Sequence, residues 1–351
     1  MKVFLTGGTG FIGLPLTRSL LQRGWQVTAL VRRPDSPQGR ALAQLGVRCV
    51  QGDVTNADSM REAMRGCDVV IHNAAWYELG VSRRQQKIMH DVNLEGTRNV
   101  LELALELGIP RCVHVSSILY YGDTGGKIAD ETYQRQYGYR SYYEQSKTEA
   151  HELALQYRQR GLPLILVCPA NVFGPNDHSV FAYFLRMYLN GVMFPLAFSP
   201  QMLLSPVFVD DVGVGIALAA EKGALGETYV LAGEAMTLRE MFDLWNKQPG
   251  GFKIRVYMPR WLAWLMLAPM APLLRLLGLP AFMSAETVAM SSGSFCFSSA
   301  KAQRELGWKP LALSALWQRI FESETALLAR RRGQPLLERL KPFDEVPEQG
   351  A

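Results

Sequence analysis

Short apolar runs alternate with amphipathic stretches through the first half of the chain. The runs are KVFLT (2–6), QVTALV (26–31), VRCVQGD (47–53), DVVIHNAA (68–75), CVHVSS (112–117) and LPLILVCPA (162–170). Each run has the length of a buried strand, and helical patterns such as NLEGTRNVLELALELG (93–108) lie between successive runs. This alternation predicts an α/β fold, a Rossmann-type doubly wound parallel sheet with helices on both faces.

The first predicted strand continues directly into a glycine-rich turn, GGTGFIG (7–13), and a helical pattern follows. Glycines allow unusual backbone angles and let a pyrophosphate approach the helix amino terminus, so the turn predicts a dinucleotide site. Ligands of such sheets bind outside the carboxyl ends of the strands. The residues at those ends are Gly7, Arg32, Asp53, Ala74, Ser117 and Pro169.

The end of the second predicted strand bears on the type of cofactor. NAD-binding chains usually place an acidic residue there to hold the ribose hydroxyls, whereas this chain has Arg32 and Arg33. Arginine suits a 2′-phosphate, so NADP(H) is the predicted cofactor. NAD stays open, because a solvated basic turn would have the same sequence.

Tyr143 and Lys147 are four residues apart and would share one face of a helix. An ammonium about 4 Å from a phenol contributes roughly 4 kcal/mol at an effective dielectric of 20. That could lower the phenol pKa by up to about three units before burial opposes it. The pair is therefore a candidate acid/base device, although the spacing alone is weak evidence.

Composition narrows the class of protein. Hydrophobic residues make up 48% and charged residues 20% of 351, with a net charge of +5, which is ordinary for a globular protein and gives nucleic-acid binding no support. The five cysteines have no CxxC spacing, so we expect reduced thiols and no metal.

The first residues of the sequence, MKVFLTGGTG, already belong to the first predicted strand and the glycine-rich turn. We therefore expect no signal peptide and a cytoplasmic location.

Residues 261–279, WLAWLMLAPMAPLLRLLGL, are almost wholly apolar but contain two prolines and an arginine. We expect a kinked pair of amphipathic helices covering an apolar pocket. Attachment to a membrane surface is the second interpretation, which would make the protein peripheral to a membrane. A true span comes third.

The motifs together resemble the extended short-chain dehydrogenase/reductase superfamily, that is, the NAD-dependent epimerase/dehydratase family. The matching segments are TGGTGFIG (6–13), GDV (52–54), HNAA (72–75), VNLEGTRNVL (92–101), VHVSS (113–117), YYEQSK (142–147), PANVFGP (169–175), VFVDDV (207–212) and AQRELGWKP (302–310). Within the superfamily the chain is most similar to dihydroflavonol-reductase-like and 3β-hydroxysteroid-dehydrogenase-like members.

The resemblance implies roles for individual residues. The catalytic triad would be Ser117, Tyr143 and Lys147, with Ser117 preferred to Ser116. The cofactor would contact Gly7, Gly10, Phe11, Ile12, Gly13, Arg32, Arg33, Asp53, Val54, Ala74, Ala75, Tyr143, Lys147, Pro169, Asn171 and Val172. Trp76, Tyr77, Ser117 and Tyr143 would contact the substrate, unless Trp76 and Tyr77 pack under a loop. Asn93 would lie near the site or cap a helix.

The resemblance also implies how the chain is divided. Residues 1–173, joined by 207–232, would form the cofactor domain, while 174–206 and 233–312 would form a substrate lobe. Residues 313–351 would be a carboxyl-terminal helix and a tail that is mobile or lies on the surface. Relatives often pair through the helices that carry VNLEGTRNVL and YYEQSK, so a homodimer is expected.

The substrate lobe predicts a hydrophobic small molecule as substrate. Between Asn176 and Pro206 the only basic residue is Arg186, which is too few for a nucleotide-sugar diphosphate. Ile118 and Leu119 replace the acidic residues of dehydratases. The predicted function is therefore NADP(H)-dependent ketone reduction or secondary-alcohol oxidation by Ser-Tyr-Lys catalysis. A nucleotide-sugar epimerase is the alternative enzyme, and a non-catalytic NADP-sensing protein is the alternative of another class.

Overall fold

The computed structural model describes residues 1–342. The strands are β1 (Lys2–Thr6), β2 (Gln26–Val31), β3 (Arg48–Gln51), β4 (Val69–His72), β5 (Cys112–Val115), β6 (Leu164–Pro169), β7 (Asn171–Phe173), β8 (Leu196–Ala197), β9 (Leu203–Leu204), β10 (Pro206–Phe208), β11 (Thr228–Leu231), β12 (Met236–Thr237) and β13 (Val256–Tyr257).

The helices alternate with these strands through residue 159 and dominate beyond residue 237. They are α1 (Gly13–Gln22), α2 (Pro37–Gln44), α3 (Asp58–Met64), α4 (Arg83–His90), α5 (Gly96–Glu106), α6 (Tyr142–Gln159), α7 (Val180–Leu189), α8 (Val209–Lys222), α9 (Leu238–Trp245), α10 (Arg260–Leu267), α11 (Met270–Leu276), α12 (Ala285–Met290), α13 (Ala300–Leu306), α14 (Leu313–Arg330) and α15 (Leu336–Leu340).

Seven parallel strands form the central sheet, in the order β11-β6-β5-β4-β1-β2-β3. The six apolar runs became β1 to β6, which confirms the predicted doubly wound sheet. The seventh strand, β11, was not predicted as a strand, although its segment was assigned to the cofactor domain. The order reverses beside β1, and ligands bind at such a switch point in open α/β sheets.

The sheet is buried on both faces because its strands are apolar at successive positions. Val3 and Leu5 of β1 join the core beneath α1 and α8, whereas Phe4 joins the core beneath α5 and α6. This is the two-residue period of a strand between two layers. All strands of the sheet therefore end at the same edge, where the predicted site residues lie.

The remaining elements form a second apolar core beyond that edge. Short strand pairs brace it: β7 with β10, β9 with β12 and β8 with β13. Helix α14 is joined to α7 by a buried ion pair between Arg186 and Glu324, and α15 also packs on α7. Residues 343–351 of the predicted tail lie outside the described residues.

The apolar segment 261–279 folds as the expected kinked pair of helices. Helix α10 ends at Leu267 and α11 begins at Met270, after Pro269. Both helices contribute to the wall of the large apolar cavity that adjoins the sheet edge. Within residues 1–342, no helix has both the length and the apolar character needed to cross a membrane.

Candidate active site

A cavity of about 980 Å³ begins at the glycine loop and continues past Tyr143 into the second apolar core. Ligand pockets usually measure about 300–1,000 Å³, so this cavity lies at the upper end of that range. Its position at the carboxyl ends of β1, β4 and β5 agrees with the predicted site. Within the described residues, no group of three or more His, Cys, Asp or Glu side chains could hold a metal ion.

The glycine loop has the geometry of a dinucleotide cradle. Gly7 has a φ of +72°, and a Cβ there would lie 2.6 Å from the backbone nitrogen of Ala74. A Cβ on Gly13 would lie 2.1 Å from the carbonyl oxygen of Gly7. A side chain at either position would therefore displace the backbone and close the space in which a pyrophosphate meets the start of α1.

Most of the predicted cofactor residues border the cavity. The ones that line it are Gly7, Gly10, Phe11, Ile12, Arg32, Asp53, Val54, Ala74, Ala75, Tyr143, Asn171 and Val172. Gly13, Arg33, Lys147 and Pro169 are not part of its lining. Gly13 instead begins α1, and Pro169 lies within β6 opposite Leu231 of β11.

The two arginines after β2 differ in their placement. Arg32 lines the cavity, whereas Arg33 does not. Both are exposed, and within residues 1–342 neither side chain makes a hydrogen bond or an ion pair. Asp53, across the same end of the cavity, accepts hydrogen bonds from Thr55 at its backbone nitrogen and its hydroxyl, both 2.9 Å away. Arg32 is therefore the cation available to an anionic group at this end.

Helix α6 presents Tyr143 to the cavity from its first turn. Ser141 caps the helix by accepting a hydrogen bond from the Glu144 nitrogen at 3.1 Å, which fixes the start of α6. The Tyr143 ring packs edge-on against Tyr77, with 4.8 Å between ring centroids. Burial raises the pKa of Tyr143 above its ordinary value. The phenol is therefore held protonated, and the expected lowering of its pKa by Lys147 is not found in this structure.

Lys147 lies one turn behind Tyr143 and is 3% exposed. Its Nζ donates a hydrogen bond to the carbonyl oxygen of Val115, 3.0 Å away, at the end of β5. Burial lowers the pKa of Lys147 to about 8. The ammonium is thus positioned by the sheet and loses its proton at a much lower pH than an exposed lysine would.

The two adjacent serines after β5 have separate partners. The Ser116 hydroxyl is buried and shares a 2.7 Å hydrogen bond with Nδ1 of His151. Ser117 lines the cavity, and its hydroxyl accepts a 3.2 Å hydrogen bond from the Leu119 nitrogen. The structure therefore places Ser117, and not Ser116, where a substrate oxygen could reach it.

The Asn93 side chain holds the backbone of Trp76 in place next to the cavity. Its Oδ1 accepts a hydrogen bond from the Trp76 nitrogen at 2.7 Å, and its Nδ2 donates to the Trp76 oxygen and the Ser146 hydroxyl, both at 3.0 Å. It lies in a π-helical turn, residues 91–95, between α4 and α5, so it is not a helix cap. Such turns are frequent at functional sites. Both Trp76 and Tyr77 consequently line the cavity.

Two polar residues of the cavity were missed in the sequence. His178 packs edge-on against Phe11 of the glycine loop at 5.8 Å and lies 6.0 Å from the Tyr77 ring. Burial raises the pKa of its neighbour Asp177 to about 7. Both residues follow the PANVFGP motif in a loop, and only the tertiary fold brings them beside Tyr77.

Apolar side chains line the part of the cavity that lies in the second core. Aromatic and aliphatic members include Phe181, Phe184, Phe198, Leu238, Phe242, Trp245, Leu267 and Phe295. Eight methionines join them: Met187, Met193, Met202, Met258, Met266, Met270, Met283 and Met290. Flexible methionines adapt to ligands of irregular shape. Arg186, the basic residue of this region, is fully buried against Glu324 and does not line the cavity.

Comparison with known proteins assigns this chain to a family. Residues 3–232 match the model of the NAD dependent epimerase/dehydratase family. A protein of Synechocystis sp. named as a dihydroflavonol 4-reductase is 32% identical, over 87% of this chain and 89% of its own. Human 3 beta-hydroxysteroid dehydrogenase type 7 is also 32% identical, over 88% of this chain and 90% of its own.

Two further comparisons concern chemistry and fold. The 4-hydroxy-2-methyl-3-oxo-4-farnesyl-3,4-dihydroquinoline-1-oxide ketoreductase of Stigmatella aurantiaca is 32% identical, over 70% of this chain and 72% of its own. The crystal structure of gox2253 superposes with a TM-score of 0.76 at 30% identity, covering 92% of this chain and 98% of its own. The likeness therefore extends over both the sheet and the second apolar core.

Proposed function

Because the chain belongs to the NAD dependent epimerase/dehydratase family and is an oxidoreductase acting on CH–OH or C=O groups, we propose that it reduces a ketone on a hydrophobic small molecule with NADPH. The reverse oxidation of a secondary alcohol uses the same residues. Ser117, Tyr143 and Lys147 carry the reaction.

The observation that carries this proposal is the charge distribution of the cavity. Arg32 is the only arginine or lysine among the described residues that line it, and it lies at the end beside the glycine loop. A nucleotide sugar would bring a diphosphate into the other end, where a cation would be needed to bind it. The apolar side chains there instead suit a hydrophobic carbonyl compound. The relatives named as a ketoreductase of a farnesyl compound and as a steroid dehydrogenase support the same substrate class.

The chain's own residues supply proton transfer and positioning. Tyr143, kept protonated by burial, gives its proton to the carbonyl oxygen. Ser117 donates a hydrogen bond to that oxygen as negative charge develops on it. The charge of Lys147, held by the Val115 carbonyl, stabilises the phenolate that Tyr143 becomes. A bound NADPH supplies the hydride, and the glycine loop and Arg32 would hold its phosphates.

The test is turnover of the purified protein with NADPH and with NADH over a panel of hydrophobic ketones and steroids. We expect NADPH consumption that falls by about 10³-fold in Tyr143→Phe, since general acid catalysis contributes roughly 10²–10⁴-fold. Product analysis by mass spectrometry should show a gain of two hydrogens. Consumption that persists unchanged in Tyr143→Phe would contradict the proposed role of Tyr143.

The alternative enzyme, an epimerase, would retain and recycle its cofactor. It would show no net NADPH consumption with any ketone, and tightly held cofactor would purify with the protein. A non-catalytic NADP-sensing protein would bind cofactor with neither activity. The presence of Ser117, Tyr143 and Lys147 together argues against that second alternative.

A further inference from the structure

Large apolar side chains cover the solvent side of α10 and α11, which we name the outer face. Its residues, with exposed fractions between 44% and 85%, are Trp261, Trp264, Leu265, Leu273, Leu276 and Leu277. The two helices pack against each other, so these side chains lie on neighbouring turns. Soluble monomers rarely expose so much apolar surface in one region, and such surfaces usually mark an interaction site.

The opposite side of α10 is also apolar and faces the cavity. Ala263, Met266 and Leu267 of α10 and Met270 of α11 line the cavity. Helix α10 is apolar at every position after Arg260, and a helix that is apolar all around is normally covered on every side. The cavity lies on one side of α10 and α12 packs on another, which leaves the outer face exposed to solvent.

The mouth of the cavity adjoins this helix pair. Ile88 on α4, Phe194 after α7 and Met266 on α10 line the cavity and are also 46%, 73% and 41% exposed. Side chains that both line a cavity and face solvent mark its opening. One border of the opening is therefore α10 itself.

The chain segment that carries α10 and α11 is rich in basic residues, and Glu286 of α12 lies beside Arg260 in a surface pocket. Between Asp243 and Glu286 the chain has five basic residues and no acidic one. Two of them, Arg255 and Arg260, are exposed and make no ion pair within residues 1–342. Across the mouth, α4 begins with the exposed Arg83 and Arg84, and the side chain of Arg275 in α11 holds the adjoining loop by a hydrogen bond to the Gly80 carbonyl.

We propose that the outer face docks on an anionic lipid bilayer, with the cavity mouth turned towards the membrane. Tryptophan and leucine insert at the boundary of headgroups and acyl chains, while neighbouring arginines pair with lipid phosphates. The eight residues of α10 and seven of α11 reach about 12 Å and 10 Å, far short of the roughly 30 Å hydrocarbon core. The helices therefore lie in the membrane surface.

Docking would give a water-insoluble substrate a direct path from the bilayer into the cavity. That consequence rests on the proposed function, because it supposes a hydrophobic substrate. The docking does not depend on the proposed function, because vesicle binding is measured without turnover. The two proposals can therefore fail separately.

The first measurement is flotation of the full-length protein with vesicles of phosphatidylcholine alone or with 30% phosphatidylglycerol. We expect binding to the mixed vesicles that weakens several-fold in pure phosphatidylcholine or in high salt. Trp261→Ser/Leu265→Ser should reduce binding at least several-fold. The matched control is Leu45→Ser/Leu225→Ser, which changes two exposed leucines beside the amino ends of β3 and β11 and should bind like the unchanged protein.

The second measurement uses tryptophan fluorescence with lipids brominated in the acyl chain. Trp261 and Trp264 are exposed, Trp76 is half-buried in the cavity, and Trp25, Trp245, Trp308 and Trp317 are buried. Quenching should therefore appear on binding and be lost in Trp261→Phe/Trp264→Phe, a variant that should still float with the vesicles. Adding Phe194→Trp to that variant should restore quenching, because Phe194 lies at the mouth.

Several outcomes would overturn the proposal. Absence of flotation with the mixed vesicles would do so, as would flotation without quenching, which indicates adsorption by charge alone. Self-association that is abolished by Trp261→Ser/Leu265→Ser, without vesicle binding, would assign the outer face to a contact between copies of the chain. An unquenched Phe194→Trp would overturn the orientation of the mouth.

Discussion

Ser116 and Ser117 are adjacent in the sequence, yet their hydroxyls face different environments. Ser117→Ala should lower kcat/KM by about 10²-fold or more, because a donor to the developing oxyanion is lost. Ser116→Ala should leave kcat/KM nearly unchanged and cost about 1 kcal/mol of unfolding free energy, since it removes the bond to His151. Steady-state kinetics and urea unfolding of both variants are the measurements. Equal kinetic losses would refute the assignment.

We expect Lys147 to set the pH dependence of the proposed reaction. Since its pKa is about 8, the charge that stabilises the Tyr143 phenolate disappears as the pH rises through 8. We expect kcat/KM for reduction to be constant below that pH and to fall above it. A profile that is flat to pH 10 would contradict this role of Lys147.

Replacement of Lys147 should lower the activity without lowering the stability of the fold. The pKa of Lys147 in the folded protein is below its ordinary value, so burial of the charge opposes folding by about 3 kcal/mol at pH 7. That cost is present below pH 8 and disappears as the pH rises towards the ordinary value. Lys147→Met removes it but leaves the Val115 carbonyl unpaired, at about 1–3 kcal/mol. Tm at pH 7 should therefore change little, while kcat/KM falls about 10²-fold or more.

Arg32 and Arg33 test the preference for NADP(H). Arg32→Ala should raise KM for NADPH about 10- to 100-fold and leave KM for NADH almost unchanged, because a charge-assisted bond to phosphate contributes about 1.5–3 kcal/mol. Arg33→Ala is the matched control, since Arg33 does not line the cavity. Equal losses for both cofactors in Arg32→Ala would instead favour NAD.

At the scale of elements, one buried ion pair joins α7 to α14. Arg186 donates from Nε and Nη2 to the two carboxylate oxygens of Glu324, at 2.8 Å and 2.7 Å, and from Nη2 to the Asp177 carbonyl at 2.7 Å. The loop that carries His178 is thereby connected to α14 through Arg186. Arg186, the only basic residue between Asn176 and Pro206, thus has a structural role.

Glu324→Gln should lower the free energy of unfolding by about 3–5 kcal/mol, because it leaves the Arg186 charge buried without its counter-ion. Arg186→Met/Glu324→Leu, which removes both charges, should recover much of that loss. Glu62→Gln is the matched control, since the Glu62 side chain is 81% exposed in its pair with Arg65 and should cost less than about 1 kcal/mol. Denaturant unfolding of the three variants makes the comparison. A loss in Glu324→Gln no larger than in Glu62→Gln would contradict it.

At the scale of the whole molecule, we expect three buried histidines to make the protein less stable in acid. Burial lowers the pKa of His72 and of His151 to about 3, and that of His114 well below its ordinary value. The unfolded chain therefore binds protons below about pH 6.5 that the folded chain excludes. Between pH 7 and pH 5, each of His72 and His151 should remove about 2 kcal/mol of unfolding free energy.

His151→Gln should reduce this acid sensitivity by about 2 kcal/mol between pH 7 and pH 5, measured by urea unfolding at both values. His90→Gln is the control, because the His90 side chain is 39% exposed. If His151→Gln loses stability with falling pH as steeply as the unchanged protein does, His151 is not responsible.

Oligomeric state also belongs to this scale. A homodimer through α5 and α6 stays a prediction drawn from the resemblance, and sedimentation equilibrium would test it. Docking through α10 and α11 uses a different surface, so both can hold together.

The sequence by itself determined six strands of the sheet, the glycine loop and the spacing of Tyr143 and Lys147, because each depends on local order. A strand, a glycine-rich turn and a helix that follow one another define a dinucleotide site, whatever sequence comes after them. The four-residue spacing of Tyr143 and Lys147 likewise defines one face of α6. Parallel pairing then brings the ends of β1, β2, β4 and β5 to one edge, as the alternation of strands and helices predicted.

Only the tertiary structure decided matters that depend on distant neighbours. Burial, which no local pattern reports, keeps Tyr143 protonated and lowers the pKa of Lys147. The division of roles between Ser116 and Ser117, or between Arg32 and Arg33, depends on which side chain faces the cavity. The positions of β11 and of the loop with His178 depend on contacts with residues that are distant in the sequence. The same holds for α10, whose apolar sequence predicted a helix covering an apolar pocket but could not tell which side faces the cavity and which is left exposed.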